Sequence, residues 1–210
     1  MNELIRRLEL PIVIMLFLAG STFLLKMSYL SLLQNTIFGG SLLLALCGYL
    51  YGRFRLKIPV VLPLLVLVAV EVDALGNYFR MYGRQFGPVM YDEFAHMTVQ
   101  ALTAPIIIWL AAAVLVRSGY HLPLGLITFF SITMLFIITG FYEIIELWDE
   151  LYFSGQRIGT PHDAPNDLQW NLAGIIIGSA VTYAVMNYYG AVKLAADRGL
   201  RIAGGLLSGH

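Results

Sequence analysis

Apolar runs of about twenty residues, broken only by short polar patches, dominate this chain of 210 residues. An α-helix rises about 1.5 Å per residue, so each run is long enough to cross a hydrocarbon core of about 30 Å. Lipid offers no hydrogen-bond partner to an open backbone, and such runs are therefore expected as helices. Six are expected, over roughly residues 9–25, 29–51, 58–79, 91–116, 121–147 and 167–190. The expected fold class is all-α, a polytopic membrane protein whose six transmembrane helices form one bundle and one domain, residues 1–210. A hydrophobic content of 59%, a charged content of 12% and a mean hydropathy of +0.76 exclude an ordinary soluble domain.

The segment "ELIRRLELPIVIMLFLAGSTF" has the basic start and apolar centre of a signal peptide, and "LAGS" resembles a cleavage site. It is expected to remain as the first span. The one cysteine, Cys47, lies within a span and is read as packing, which leaves no disulfide framework and no thiolate metal cluster within one chain.

With six spans both termini share a side, and the distribution of Lys and Arg selects it. Nine of the thirteen basic residues fall at the termini and in the second and fourth loops, while Lys26, Arg80, Arg84 and Arg157 occupy the others. Both termini are therefore expected in the cytoplasm. Ten of the thirteen acidic residues lie between positions 71 and 167 and cluster at the opposite helix ends. Glu71 and Asp73 close the third span, Asp92, Glu93 and His96 open the fourth, Glu143 and Glu146 close the fifth, and Asp163 and Asp167 lead into the sixth. Four helices thus bring carboxylates to one extracytoplasmic depth.

Burying a charge in a bilayer costs several kcal/mol, so intramembrane carboxylates are normally paired, protonated or coordinated. Here they outnumber the nearby arginines. Glu93 with His96 and Glu143 with Glu146 are spaced i, i+3; Asp92 with His96 and Asp167 with Asn171 are spaced i, i+4. Each pair shares a helix face. Facing helices that present such pairs are what a bundle needs to hold a divalent cation. The expected metal ligands are Asp73, Asp92, Glu93, His96, Glu143, Glu146, Asp167 and Asn171. Oxygen ligands with one imidazole suit Mg²⁺, Mn²⁺, Fe²⁺ or Zn²⁺ and argue against copper. The competing reading is interfacial charge that balances helix dipoles, which suits Asp92, Glu93 and Asp167 at helix N-termini but not Glu143 and Glu146 near a C-terminus.

The polar loop "SGQRIGTPHDAPNDLQWN" lies on the acidic side, and loops over a scaffold often carry function. Within it Arg157 is a candidate for holding an anionic group, with Arg80 and Arg84 as further candidates or as neutralising charges. Asp163 and His162 are candidates for general base and acid, although a solvated loop histidine is the plainer reading of His162. His121 is placed at the opposite interface. "GIIIG" at 174–178 is a small-xxx-small pattern that allows close helix approach. Pro105 and Gly140 are candidate kinks, and Tyr142, Trp148 and Tyr152 fit an interfacial aromatic belt. There is no Gly-rich phosphate loop, nucleophile elbow or basic nucleic-acid stripe.

The order of motifs, "YDEFAHM", then "YEIIELWDE", then "DLQWNLAGIIIG", resembles the YjdF-like family of uncharacterised bacterial inner-membrane proteins and, more distantly, the VanZ-like family linked to glycopeptide antibiotic resistance. The resemblance spans roughly residues 70–185. It implies that Asp92 with His96, Glu143 or Glu146, and Asp167 with Asn171 form one unit, in a bacterial or archaeal cell membrane. Where the VanZ-like pattern commonly has a lysine, this chain has Glu93, a further potential ligand.

The expected function is a metal-dependent membrane enzyme that acts on a lipid-linked or cell-envelope substrate at the extracytoplasmic surface. The alternatives are a cation-binding or transport protein and an accessory subunit with partner membrane chains. Membrane lipid is an expected partner in each case, and nucleic acid in none.

Overall fold

A computed structural model describes residues 32–56, 58–117, 119–153 and 162–207. The expected first span over 9–25 and Arg157 lie outside these residues. Among the described residues there are five helices: α1 Leu32–Phe54, α2 Val61–Tyr78, α3 Tyr91–Arg117, α4 Leu124–Phe153 and α5 Asp163–Leu207. Four segments are long and apolar enough to cross a membrane: Val61–Tyr78, Tyr91–Val116, Leu124–Tyr152 and Asp163–Gly190.

The helix ends follow local chemistry. The Leu62 amide donates to the Pro59 carbonyl as α2 begins, and those of Leu126 and Ile127 donate to Pro123 as α4 begins. α2 ends in a Schellman-type turn, in which Met81 N–H reaches the Gly76 carbonyl, Arg80 N–H reaches Asn77, and Arg80 takes a φ of 50°. α3 ends in the same way, with Gly119 at a φ of 83°. α5 begins at Asp163, earlier than the expected 167. Pro165 falls in its first turn, where a missing N–H costs no helical bond, and Asp163 complements the positive end of the dipole. α4 continues to Phe153 rather than ending near 147, and α5 continues to Leu207, although its membrane-length apolar segment ends at Gly190, where the last span is expected to end.

One element departs from the all-helical expectation. Between α2 and α3 the chain forms a short antiparallel hairpin, β1 Gln85–Phe86 and β2 Val89–Met90, paired Gln85 to Met90 and Phe86 to Val89. Gly87 supplies a φ of 63° at its turn. Two-residue strands are too short to leave a periodic signal.

α3 is the central helix and packs against α2, α4 and α5, with the α3–α5 contact the most extensive. A Cβ added at Gly174 would overlap the backbone of Met97, and one at Gly178 would overlap the backbone of Ala101. Both pairs keep the same offset and run in the same sense, so α3 and α5 are parallel and start at the same end of the bundle. Their backbones touch because neither glycine has a side chain to hold them apart. Beside this contact Ala104, Leu135 and Ile175 form a buried apolar layer contributed by α3, α4 and α5. The outward face of α4 is apolar, with Phe129, Phe130, Ile137 and Phe141 all exposed, as a lipid-facing helix requires.

Gly174→Leu is expected to push α5 away from α3 and to destabilise the protein by about 3 kcal/mol or more, above the usual cost of overpacking because the obstacle is backbone. Gly140→Ala, where an added Cβ meets nothing within 4 Å, is expected to be neutral or to stabilise by up to about 1 kcal/mol through helix propensity. Thermal unfolding in detergent compares the two.

Candidate metal centre

The first turn of α3 fixes the position of everything that follows. Glu93 turns back so that its Oε2 accepts from the Met90 N–H at 2.9 Å, the carboxylate half of a capping box. Its Oε1 accepts from Asn166 Nδ2 at 3.0 Å, which ties the first turn of α3 to the first turn of α5. On the next turn His96 faces α5. Its Nδ1 lies 3.1 Å from Asn171 Oδ1, while its Nε2 lies 3.4 Å from Asp92 Oδ1 and 3.7 Å from Asp167 Oδ2. Asn171 in turn donates from Nδ2 to Glu143 Oε1 on α4 at 3.4 Å.

This chain of contacts orients the imidazole. With its NH₂ turned to Glu143, Asn171 presents its amide oxygen to His96. His96 Nδ1 must then carry a proton and donate it. Nε2 is left facing two carboxylate oxygens, and three electron-rich atoms converge on one point. Such a group holds together around a proton, on Nε2 or on a carboxyl oxygen, or around a metal ion between the three.

The geometry fits a metal ion. One donor atom from each of Asp92, His96 and Asp167 lies within 4.8 Å of the others. Ligands about 2.1 Å from a tetrahedral metal sit about 3.4 Å apart, close to the two separations measured from Nε2. Asp167 is 3% exposed, and its Oδ1 has no hydrogen-bond partner among the described residues. A buried carboxylate oxygen left unpaired costs several kcal/mol, and a cation beside it removes that cost. The Nδ1–H contact to a fixed acceptor is the outer contact that metal-bound histidines commonly make.

The other expected ligands stand at different distances from this tripod. Asn171 and Glu143, both buried, lie behind His96 and orient it. Glu93 is held by Met90 and Asn166. Asp73, on α2, accepts from Tyr82 OH at 2.5 Å and from Asn77 Nδ2 at 3.3 Å. Glu146 lies one turn beyond Glu143 and is half-buried. Asp163 occupies the first turn of α5, one turn above Asp167, and His162 is exposed in the turn before it. His121 lies exposed at the far end, between α3 and α4. His96 is five residues into α3 and Glu143 ten residues from the end of α4, so the centre sits about 8 to 15 Å inside the bundle.

Tyr82, Tyr91 and Asn166 were not legible as part of this region. Tyr91 OH donates to the Val72 carbonyl at 2.5 Å, and its ring meets Tyr82 edge-on with centroids 5.4 Å apart. Both rings occupy space that a side chain at Gly76 would fill. Burial, and then the adjacent Asp73 carboxylate, hold the Tyr82 phenol well above the ordinary tyrosine range, so it stays a proton donor. A "Y…YDE" stretch after a span reads as interfacial aromatics, and only the glycine opposite reveals a packed pair.

A family model described as "Predicted membrane protein (DUF2238)" matches residues 8–189 of the chain. No curated protein and no solved structure matches.

Because the folded state favours the neutral Tyr82 phenol, its contribution to stability is complete below the ordinary tyrosine pKa of 10.0 and is lost progressively as pH rises above it. Thermal unfolding followed from pH 8 to pH 11 is expected to show a steeper alkaline loss of stability in the wild type than in Tyr82→Phe. Equal slopes would remove the Asp73–Tyr82 bond as the cause.

Proposed function

We propose, for a chain that belongs to the DUF2238 family of predicted membrane proteins, that Asp92, His96 and Asp167 bind one divalent cation and that this centre carries the protein's function. That family is the one to which the YjdF-like resemblance points. The observation that carries the reading is the convergence of His96 Nε2 and two Asp oxygens, with Asp167 Oδ1 buried and unpartnered among the described residues. Mg²⁺, Mn²⁺, Fe²⁺ and Zn²⁺ suit a set of two carboxylates and one imidazole.

The activity proposed is that of a metal-dependent enzyme acting on a lipid-linked or cell-envelope substrate. When bound, the cation would polarise a phosphoryl or carbonyl oxygen or lower the pKa of a water molecule. The chain's own residues divide the remaining work. Glu143, acting through Asn171, holds the His96 ring in one orientation and one tautomer. Glu93 and Asn166 lock the starts of α3 and α5 together, so that Asp92 and Asp167 face each other at a fixed separation. Asp163, one turn above Asp167, and His162 at the entrance to α5 are the residues proposed to move protons between substrate and water. Arg157, and Arg80 and Arg84 beside the hairpin, are proposed to attract an anionic headgroup.

The proposed topology has six spans, both termini in the cytoplasm and the metal centre toward the extracytoplasmic face of a bacterial or archaeal cell membrane. The support is the excess of Lys and Arg in the loops at the opposite end.

Elemental analysis by inductively coupled plasma mass spectrometry tests the metal reading. Stoichiometric metal is expected in the wild type and in Glu93→Gln, with most of it lost from Asp167→Asn and His96→Ala. Glu143→Gln is expected to weaken binding by about 10- to 100-fold, the range for outer contacts, rather than to abolish it. Equal metal content in the wild type, Asp167→Asn and His96→Ala would overturn the assignment, as would an empty wild type after loading.

A further inference from the structure

The inward face of α4 is polar. Thr128, Ser131, Thr139 and Glu143 are all buried, at intervals of three, eight and four residues, with Leu135 between Ser131 and Thr139. They form one stripe on the side of α4 turned toward the bundle, whereas the lipid side is apolar. α5, packed against α4, carries a matching stripe of Asp167, Asn171, Ser179 and Thr182, all buried.

Helix interiors offer every Ser and Thr a ready acceptor, the carbonyl one turn back. Ser131, Thr133 and Thr182 use it, donating to Ile127, Phe129 and Gly178 at 2.8, 3.1 and 2.7 Å. Thr128, Thr139 and Ser179 do not, and their hydroxyls are buried with no partner among the described residues. All three orphans belong to α4 and α5. From Glu143 to Thr128 the stripe on α4 runs over fifteen residues, about 22 Å, which is most of a hydrocarbon core of about 30 Å. Each orphan costs on the order of 1 to 3 kcal/mol if left dry. Side-chain bonds between helices would explain paired hydroxyls, but not three that are unpaired on the same two helices.

We infer that the seam between α4 and α5 holds a file of water molecules that conducts protons along it, between the Glu143 end of α4 and Thr128, one turn from the opposite end of that helix. Buried water normally bridges two to four polar groups, and a line of hydroxyls that both donate and accept is the lining such a file needs. A proton passed from one water to the next leaves every lining hydroxyl neutral and unchanged. The layer of Ala104, Leu135 and Ile175 interrupts the polar stripe. It acts as the apolar constriction that limits the flow. The inference goes beyond the metal reading and does not require it, because the lining hydroxyls lie outside the tripod.

The test is proton flux into liposomes that contain the full chain and a trapped pH-sensitive dye, under a potassium-valinomycin potential and with a chelator present throughout. The wild type is expected to carry a flux above that of protein-free liposomes. Thr139→Val and Ser179→Ala, which change shape little, are expected to lose most of it. Thr139→Ser restores the hydroxyl and is expected to keep the flux, and Thr133→Val, on the exposed face, is expected to be silent. Leu135→Ala thins the apolar layer and is expected to raise the flux several-fold. A wild type no leakier than empty liposomes overturns the inference, and so does equal flux in all variants. Because metal is absent by design, failure here leaves the metal reading intact, and an empty metal centre leaves this result intact.

Discussion

The contact on which the rest of this structure depends is the one between the backbones of α3 and α5. Gly174 rests on Met97 and Gly178 on Ala101, and in lipid, where apolar surface alone drives no association, such close packing is what holds two helices together. The parallel arrangement has an electrostatic consequence. Two helix N-termini, each the positive end of a dipole, open at the same end of the bundle, and Asp92, Glu93 and Asp163 occupy their first turns. Gly174 lies one turn below Asn171 and two below Asp167, so the seam also sets how near these side chains come to His96.

Above the seam, the acids are sorted by their partners. Glu93 satisfies a backbone amide and an asparagine. Asp73 is taken up by Tyr82 and Asn77. Glu143 holds Asn171, which holds His96. Asp92 and Asp167 are left to converge on Nε2, and only there does a buried carboxylate oxygen lack a protein partner among the described residues. A carboxylate near a helix N-terminus is ordinary. An imidazole held at Nδ1, with two carboxyl groups at its other nitrogen, is an arrangement that a proton or a metal ion between them holds together.

Much of this was legible in the amino-acid sequence, and the parts that were not share a reason. Helical spans follow from run length, and the bounds of α3 are close to those expected because acids and a hairpin start it sharply. The "GIIIG" seam and the grouping of Asp92, His96, Asp167 and Asn171 could be read because helical spacing places residues on faces. Spacing does not say what stands opposite a face. It could not separate Asp92 from Glu93, adjacent in sequence, of which one meets His96 and the other turns back to cap the helix. Tyr82 was invisible because its role depends on Gly76 and Asp73, which reach it through a turn. The polar stripe of α4 reads in the sequence only as scattered residues, because its hydroxyls are spread over twelve residues of largely apolar sequence and become a group only when burial is known.

The most direct measurement is nitrogen-15 magnetic resonance of the imidazoles in protein labelled at histidine, with the His96 signals assigned by their absence in His96→Ala. In metal-free protein titrated with Zn²⁺, Nδ1 is expected to keep its proton while Nε2 shifts to the position of a metal-bound nitrogen. A His96 ring protonated at both nitrogens and unmoved by Zn²⁺ would contradict the central claim, because the tripod would then be an ion pair between one imidazolium and two aspartates.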